Sequence, residues 1–192
     1  MSTHVSLPAF VHACLRGCLA FVACAFAAGA AAQSPVRSID VVQDGDSYVL
    51  TAQMYAPANL AIVWDVLTDF ENMEKWVPNV VESRVVTPGE KMTIEQKGNA
   101  KFGALSFSYV SLREIVLTPK TSILSTQVKG SMKKQMSLMT ITPDGENGTK
   151  LQYKLELVPS FIAARVVSPD FLKHEINEQF TAIIGEMVKR KK

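Results

Sequence analysis

Four polar side chains between residues 96 and 153 occupy positions from which they could take part in chemistry. Gln96, Tyr109, Thr126 and Tyr153 each share the alternate-residue parity of apolar neighbours in a strand-like run. We therefore expect all four side chains to lie on the buried face of a sheet. In a pocket they could position a substrate or assist proton transfer. The alternative is that each completes a buried hydrogen bond, as most buried polar groups do, so no catalytic residue is assigned.

Thiol and metal catalysis find little support in the sequence. The three cysteines all lie in the first 24 residues, and His174 is the one histidine beyond residue 12. A zinc site needs three or four ligands, and we expect no ligand cluster beside His174, which helical spacing places on the surface. No G-x-S-x-G motif marks a nucleophilic serine. We expect neither a metal nor a cofactor.

The apolar and aromatic residues favour a binding pocket over a catalytic centre. Apolar walls with a few polar groups are typical of small-molecule sites. The alternative for each apolar residue is that it simply fills the core. The candidate lining residues are Trp64, Gln96, Phe107, Tyr109, Thr126, Met139, Tyr153, Phe161 and Phe180.

The first 32 residues, here called the signal segment, have the composition of a secretory signal. They contain no acidic residue, and the run Cys18–Ala32 is apolar, rich in small residues and ends in three alanines. This run is shorter than the roughly 20 residues of a membrane span. We place cleavage between Ala32 and Gln33, which predicts a periplasmic or secreted protein. Lipid attachment at Cys24 is the less favoured alternative, because Phe21 suits that reaction poorly.

The remaining residues, 33–192, are sufficient for one domain. The chain has 20 Lys and Arg against 18 Asp and Glu. Only Arg16 among these lies in the signal segment, which leaves 19 against 18. Such a balance gives no support for a nucleic-acid partner. No cysteine remains beyond the signal segment, so stability must come from the core.

The elements that must position the candidate residues begin with a strand hairpin and two helices. Strand-like runs at 39–42 and 48–55 flank a turn. Pro57 is expected to start an amphipathic helix, and Asp69 to cap a second, short helix that ends near Lys75.

From residue 81 to residue 159 the apolar period changes to two, which predicts strands. These strands are expected at 81–87, 91–99, 104–116, 121–129, 134–142 and 149–158. In the third of them the alternation slips after Tyr109, where Val110 and Leu112 are apolar. A β-bulge near Val110-Ser111 would turn those two side chains inward.

The chain ends in a long amphipathic helix with Ser168 as its N-cap and Pro169 in its first turn. A sheet and a helix can each cover the other's apolar face. The pattern predicts an α+β helix-grip fold, in which a curved antiparallel sheet of about seven strands wraps around the C-terminal helix. Two short helices follow the first strand.

Residues 58–86, ANLAIVWDVLTDFENMEKWVPNVVESRVV, resemble the opening of polyketide cyclase/dehydrase-like domains of the START superfamily, also called SRPBCC. The matching features are a Trp in the first helix, Asp-Phe, Trp-Val-Pro and Ser-Arg-Val. Glu-Gln-x-Gly at 95–98 and Pro-x-Phe at 159–161 continue the resemblance. The nearest subgroup is the coenzyme Q-binding START domain proteins.

The resemblance implies a cavity between the sheet and the C-terminal helix that holds a lipid, quinone, sterol or polyketide. Met139 stands where many relatives carry Trp, which implies a softer wall. We expect a periplasmic carrier of a hydrophobic small molecule, and an enzyme of the cyclase or dehydratase kind is the alternative.

Two basic clusters suggest a peripheral contact with a membrane surface. Lys129, Lys133 and Lys134 flank the turn at Gly130, and residues 189–192 read KRKK. The alternative is an ordinary solvated turn and a helix end matched to its dipole.

Overall fold

In the computed structural model, eight antiparallel strands form one curved sheet, and a long C-terminal helix packs against that sheet. The structure describes residues 34–89 and 91–192. The signal segment, its cleavage point and the alternative lipid site at Cys24 lie outside the described residues. The strand order is β1-β2-β8-β7-β6-β5-β4-β3, so the N-terminal hairpin joins the last strand.

The elements alternate as the sequence predicts, with two short helices between the hairpin and the long run of strands. The sheet has eight strands rather than about seven, and the short helices follow the second strand, because both arms of the hairpin pair in the sheet. The strands are β1 Val36–Asp44, β2 Ser47–Ala56, β3 Val80–Thr87, β4 Lys91–Phe102, β5 Leu105–Thr118, β6 Ser122–Gly130, β7 Met132–Pro143 and β8 Thr149–Pro159. The helices are α1 Leu60–Thr68, a 3-10 helix Phe70–Lys75, a 3-10 turn Ala163–Arg165, and α2 Pro169–Arg190.

Side-chain caps decide where the helices begin. Asn59 Oδ1 accepts a hydrogen bond from the Ile62 backbone N–H at 3.0 Å, so α1 begins at Leu60 and not at Pro57. Ser168 Oγ caps α2 as predicted, by accepting from the Phe171 N–H at 3.2 Å. These caps satisfy N–H groups that a helix leaves without a partner.

Asp69 does not cap the 3-10 helix that follows it, contrary to the sequence prediction. Its carboxylate instead accepts from Asn72 Nδ2 at 2.6 Å and from Arg190 at 2.7 Å. Lys191 Nζ also donates to the Pro57 carbonyl at 3.2 Å. Two members of the C-terminal basic cluster therefore hold the end of α2 against the α1 region.

The predicted β-bulge in β5 is wrong. β5 pairs with β4 without a register shift, and the bulge lies instead in β6, where Val128 is the extra residue opposite Leu112 and Arg113. Strict alternation therefore continues through β5. Ser111 and Arg113 face inward, while Val110 stays 43% exposed.

The inner face of α2 closes the concave side of the sheet. Its buried residues are Phe171, Leu172, Glu175, Ile176, Phe180, Ile183, Ile184 and Met187. Within the described part of the chain, no helix has the length and apolar character needed to cross a membrane.

Candidate ligand-binding site

A cavity of about 150 Å³ lies between α2 and the sheet. The strands β4, β5 and β8 supply one wall, and α2 supplies the other. Its apolar residues are Ala100, Phe107, Val110, Met132, Leu155, Leu157, Phe171, Leu172 and Ile176. Its polar residues are Asn79, Gln96, Tyr109, Ser111, Arg113, Gln127, Ser131, Gln135, Tyr153, Glu175 and Gln179.

A second cavity of about 90 Å³ continues the first towards α1. Four polar residues line both cavities and so form the partition between them: Gln96, Arg113, Tyr153 and Gln179. Met139 and Phe180 line the smaller cavity, and the Phe180 ring meets the Tyr153 ring edge-on at 5.0 Å.

The strand register gathers polar side chains into a band across the inner face of the sheet. Ser83 pairs with Gln96, and Gln96 with Ser111. One alternate position further, Arg113 pairs with Gln127. Side chains at paired positions of neighbouring strands share a face, so strand alternation alone brings these groups together beneath α2.

A chain of hydrogen bonds fixes the centre of this polar band. Arg113 donates to Gln96 Oε1, and Gln96 Nε2 donates to Ser83 Oγ at 2.9 Å. Ser83 Oγ in turn donates to the Phe70 carbonyl at 2.5 Å. Every member has one defined direction of donation, so the side chain of Gln96 is held with its oxygen towards the guanidinium.

Arg113 carries the only positive charge among the described residues that line the two cavities. Burial lowers its pKa, while the nearby Tyr153 and Tyr109 oppose that shift. Its Nε is buried and has no hydrogen-bond partner among the described residues. An arginine keeps its charge in protein interiors, so the partition between the cavities is cationic.

Tyr109 is held at the cavity wall as a hydrogen-bond donor. Its hydroxyl donates to the Asn79 carbonyl at 3.1 Å, and burial raises its pKa to about 12. Gly98 makes this close approach possible, because a Cβ there would overlap the Asn79 carbonyl and the Tyr109 ring. The glycine of the Glu-Gln-x-Gly stretch thus has a packing role.

Glu175 brings a buried carboxyl group from α2 to the same cavity. It accepts from Asn79 Nδ2 at 2.7 Å and from the Lys101 backbone N–H at 3.1 Å. Burial is the main cause that raises its pKa, and these two hydrogen bonds oppose the shift. A carboxyl group in this state can act as a proton donor or acceptor.

His174 has two carboxylates nearby, contrary to the expectation of no ligand cluster. One ligand atom from each of His174, Glu175 and Glu178 lies within 4.8 Å of the others. His174 and Glu178 are exposed, and both oxygens of Glu175 already accept hydrogen bonds. We assign no metal to this cluster.

The cavity approaches the surface where β6 and β7 separate. Their pairing stops at Thr126 and Met136; beyond it β6 pairs with β5 alone and β7 with β8 alone. The intervening residues, 127–135, are here called the parted segment. Gln127, Ser131, Met132 and Gln135 of this segment line the cavity, beside the exposed Val110.

Six of the nine residues predicted to line the cavity do line one of the two cavities. They are Gln96, Phe107, Tyr109, Met139, Tyr153 and Phe180. Trp64 lines neither, because α1 turns Val63, Val66 and Leu67 into the core and leaves Trp64 partly exposed.

Thr126 and Phe161 are also outside the two cavities. Thr126 is exposed, because the inward positions of its strand are Ile123, Ser125 and Gln127. Phe161 lies in the loop before α2 with 81% of its surface exposed, and it lines a separate surface groove.

The residues missed by the sequence prediction are mostly polar ones on the sheet. Ser111, Arg113 and Gln127 occupy inward positions by simple alternation from Tyr109 and Ile123. That alternation was the available signal. The predicted β-bulge near Val110-Ser111 instead placed Val110 and Leu112 on the inner face, in the positions that Ser111 and Arg113 occupy.

A curved antiparallel sheet closed by a long C-terminal helix, with a cavity between them, defines the helix-grip class of START-like domains. The sequence agrees with this assignment. The chain belongs to the polyketide cyclase/dehydrase and lipid transport family, whose model matches residues 48–190. The predicted START-like family and helix-grip fold are therefore confirmed, and the coenzyme Q-binding subgroup stays a prediction.

Solved structures share this fold at low sequence identity. A START superfamily protein from Mycobacterium smegmatis is 15% identical with a TM-score of 0.63, and the match covers 73% of this chain and 97% of that one. Zhui aromatase/cyclase from Streptomyces sp. R1128 is also 15% identical with a TM-score of 0.63, over 76% and 96% of the two chains. Ginseng major latex-like protein 151 from Panax ginseng is 11% identical with a TM-score of 0.58, over 75% and 99%.

A comparison with curated proteins finds no match to this sequence. At the identities found among solved structures, the likeness shows the fold alone.

Proposed function

We propose that this protein is a periplasmic or secreted carrier that binds a hydrophobic small molecule between the sheet and α2. The observation that carries the proposal is the cavity of about 150 Å³ in that position, which combines apolar walls with a polar band. Ligand sites commonly combine these two features. The family description, which includes lipid transport, supports the same conclusion.

The size of the cavity limits which ligands fit without a change in the structure. A cavity of about 150 Å³ accommodates a molecule near the size of benzene, and drug-sized ligands occupy about 300–1,000 Å³. The second cavity adds about 90 Å³. A head group or one ring fits this space, whereas a lipid tail or an isoprenoid quinone requires α2 or the parted segment to move.

A pair of substitutions on β5 tests whether the cavity is the binding site. Ser111→Phe places a ring in the cavity, while Ser108→Phe places the same ring on the exposed outer face of the strand. We expect a fluorescent hydrophobic probe and co-purifying ligand, the latter detected by native mass spectrometry, to be lost in Ser111→Phe and retained in Ser108→Phe. Equal binding by both variants, or ligand-free wild-type protein that binds no probe, would contradict the proposal.

The proposed location depends on the signal segment. Its apolar run and its three terminal alanines suit export and cleavage. Intact mass measured on protein from the periplasm or medium tests this, and the expected chain begins at Gln33. A full-length chain confined to the cytoplasm would contradict export while leaving the binding proposal in place.

A cyclase or dehydratase reaction is the second candidate function. It is favoured by Glu175, a buried carboxyl group with a raised pKa at the wall of the cavity. General acid–base catalysis uses groups of this kind. If the protein turns over an apolar substrate, Glu175→Gln should abolish turnover while the substrate still binds, and an unchanged rate would remove Glu175 from the mechanism.

We propose further that the loop before α2 touches an anionic lipid surface. Phe161 and Ile162 are 81% and 68% exposed. The Arg165 guanidinium lies 5.1 Å from the centre of the Phe161 ring, and Lys133 lines the same surface groove as Phe161. Exposed apolar side chains with basic neighbours suit a membrane interface that carries negative charge.

A further inference from the structure

We propose that the ligand carries a carboxylate group, which binds to Arg113 at the partition between the two cavities. This inference rests on the proposed carrier function and names the chemical class of its ligand. The apolar part of the molecule would occupy the larger cavity, against Phe107 and Leu155.

The first support is the unused hydrogen-bonding capacity of Arg113. A guanidinium has five N–H donors, and the structure gives Arg113 one hydrogen bond to a described residue, Gln96. Nε is buried without a partner. Gln96 is itself fixed by Ser83, so the guanidinium is held on one side and free to donate on the other.

The second support is the missing counter-ion. No described carboxylate forms an ion pair with Arg113. Glu175 lines the same cavity, but its oxygens accept from Asn79 and Lys101. A buried charge without a partner is costly to the fold, and a positioned charge of this kind is typical of a functional site.

The chemistry of the surroundings favours a carboxylate in particular. Arginine binds a carboxylate through two parallel hydrogen bonds. The Ser111 hydroxyl, two residues along the same inner face, also has no partner among the described residues and can donate to a second oxygen. A neutral apolar ligand would leave all of these donors unsatisfied.

The parted segment, where the cavity approaches the surface, carries positive charge, as Arg113 does. Lys129, Lys133 and Lys134 are exposed on the parted segment, whose inner side lines the cavity. Clefts surrounded by one sign of charge concentrate ions of the opposite sign. An anionic ligand would therefore be attracted first to the parted segment and then to Arg113.

A matched pair of probes tests the proposal in the mature protein after removal of bound ligand. 4-Phenylbutyrate carries a carboxylate, and 4-phenylbutyramide is its neutral counterpart of nearly equal shape. We expect wild-type protein to bind the carboxylate about 10 to 100 times more tightly in isothermal titration calorimetry, since a hydrogen bond to a charged group contributes about 1.5–3 kcal/mol. Arg113→Gln should bring the two affinities to within about twofold of each other.

Two further variants separate binding from structure. Lys154→Gln removes an exposed positive charge on β8 beside Tyr153, and it should keep the full preference. Arg113→Lys keeps the charge without the planar fork, and it should keep part of the preference. The ligand-free Arg113→Gln protein should also melt at the same temperature as wild type or higher, because it no longer buries an uncompensated charge.

The results discriminate between the two levels of the proposal. Equal binding of carboxylate and amide by wild type, or an unchanged preference in Arg113→Gln, would overturn the carboxylate inference while leaving the carrier function standing. A large loss of melting temperature in ligand-free Arg113→Gln would make Arg113 a structural residue and overturn it as well. Absence of binding by either probe, together with no hydrophobic ligand in native mass spectrometry, would overturn the carrier function itself.

Discussion

Two charged groups of opposite sign line the same cavity without pairing. Arg113 reaches it from β5 and Glu175 from α2. Each is held by neutral partners, Gln96 in one case and Asn79 in the other. At the scale of single residues the cavity is therefore polarised, with a cationic group at the partition and a carboxyl group beside Asn79 and the Lys101 backbone.

The raised pKa of Glu175 has a consequence for stability. A folded-state pKa above the unfolded value means that the folded protein binds more protons than the unfolded chain between the two values. The stability contributed by protonated Glu175 is full below its unfolded pKa. It is lost as the pH rises through the folded pKa.

Glu175→Gln should remove this part of the pH dependence. We expect the free energy of unfolding of the variant, relative to wild type, to increase as the pH rises from about 4.5, the ordinary glutamate value, to neutrality. Urea denaturation of both proteins across this range measures the difference. The pKa values of Asp69, Glu82 and Glu156 are also lowered, but these groups are present in both proteins and their effects cancel in the comparison. Parallel curves for the two proteins would contradict the assignment.

At the scale of elements, the sequence predicts the positions of the strands correctly, but the predicted inner faces of β5 and β6 are wrong. The turns and alternation located every strand from β3 to β8 to within a few residues. In β5 and β6, however, the inner face opposite the middle of α2 carries Ser111, Arg113 and Gln127. A bulge near Val110-Ser111 would place Val110 and Leu112 on that face, and parity with apolar neighbours would place Thr126 there, but the register shift lies in β6 instead.

Caps and ends of elements depend on partners that are distant in sequence. Asp69 has the right residue type for a cap, but Arg190 lies 121 residues away and binds its carboxylate. No local pattern contains that contact. The same limit applies to Asn79 and Glu175, which are 96 residues apart.

The loop before α2 gives a prediction at this scale. The double substitution Phe161→Ser with Ile162→Ser should weaken binding to vesicles that contain phosphatidylglycerol, because the loop loses its apolar side chains. The control is a comparable double substitution outside this loop, Val42→Ser on β1 with Val81→Ser on β3. These two valines are 64% and 68% exposed, and their loss should leave vesicle binding unchanged. Co-sedimentation measures both, and an equal or absent effect in the two variants would contradict a membrane contact through this loop.

At the scale of the whole molecule, the interior divides into a packed half and an open half. Leu50, Leu151 and Met187 belong to the packed half and are almost fully buried without lining either cavity. Leu155, four residues beyond Leu151 on β8, borders the larger cavity. The family resemblance predicted a cavity in this place; its size and its charge come from side chains that only the folded sheet brings together.

Two leucine truncations on β8 should report this division. Leu151→Ala leaves a new cavity in packed surroundings, and such changes cost about 2–5 kcal/mol. The Leu155 side chain already has empty space on one side, so we expect Leu155→Ala to cost less, near the lower end of that range at about 2 kcal/mol. Chemical denaturation measures both, and equal losses would show that the region around Leu155 is as well packed as the core.

The cavity contains polar atoms without hydrogen-bond partners, and these make the stability of the protein depend on whether its ligand is bound. The hydroxyl of Ser111 and Nε of Arg113 lose solvation on folding without gaining a hydrogen bond. A ligand that binds only the folded form stabilises it in proportion to the logarithm of its concentration. Under the proposed function, empty molecules would unfold more often and be degraded sooner than loaded ones. The abundance of the carrier would then follow the supply of its ligand, with no regulatory protein required.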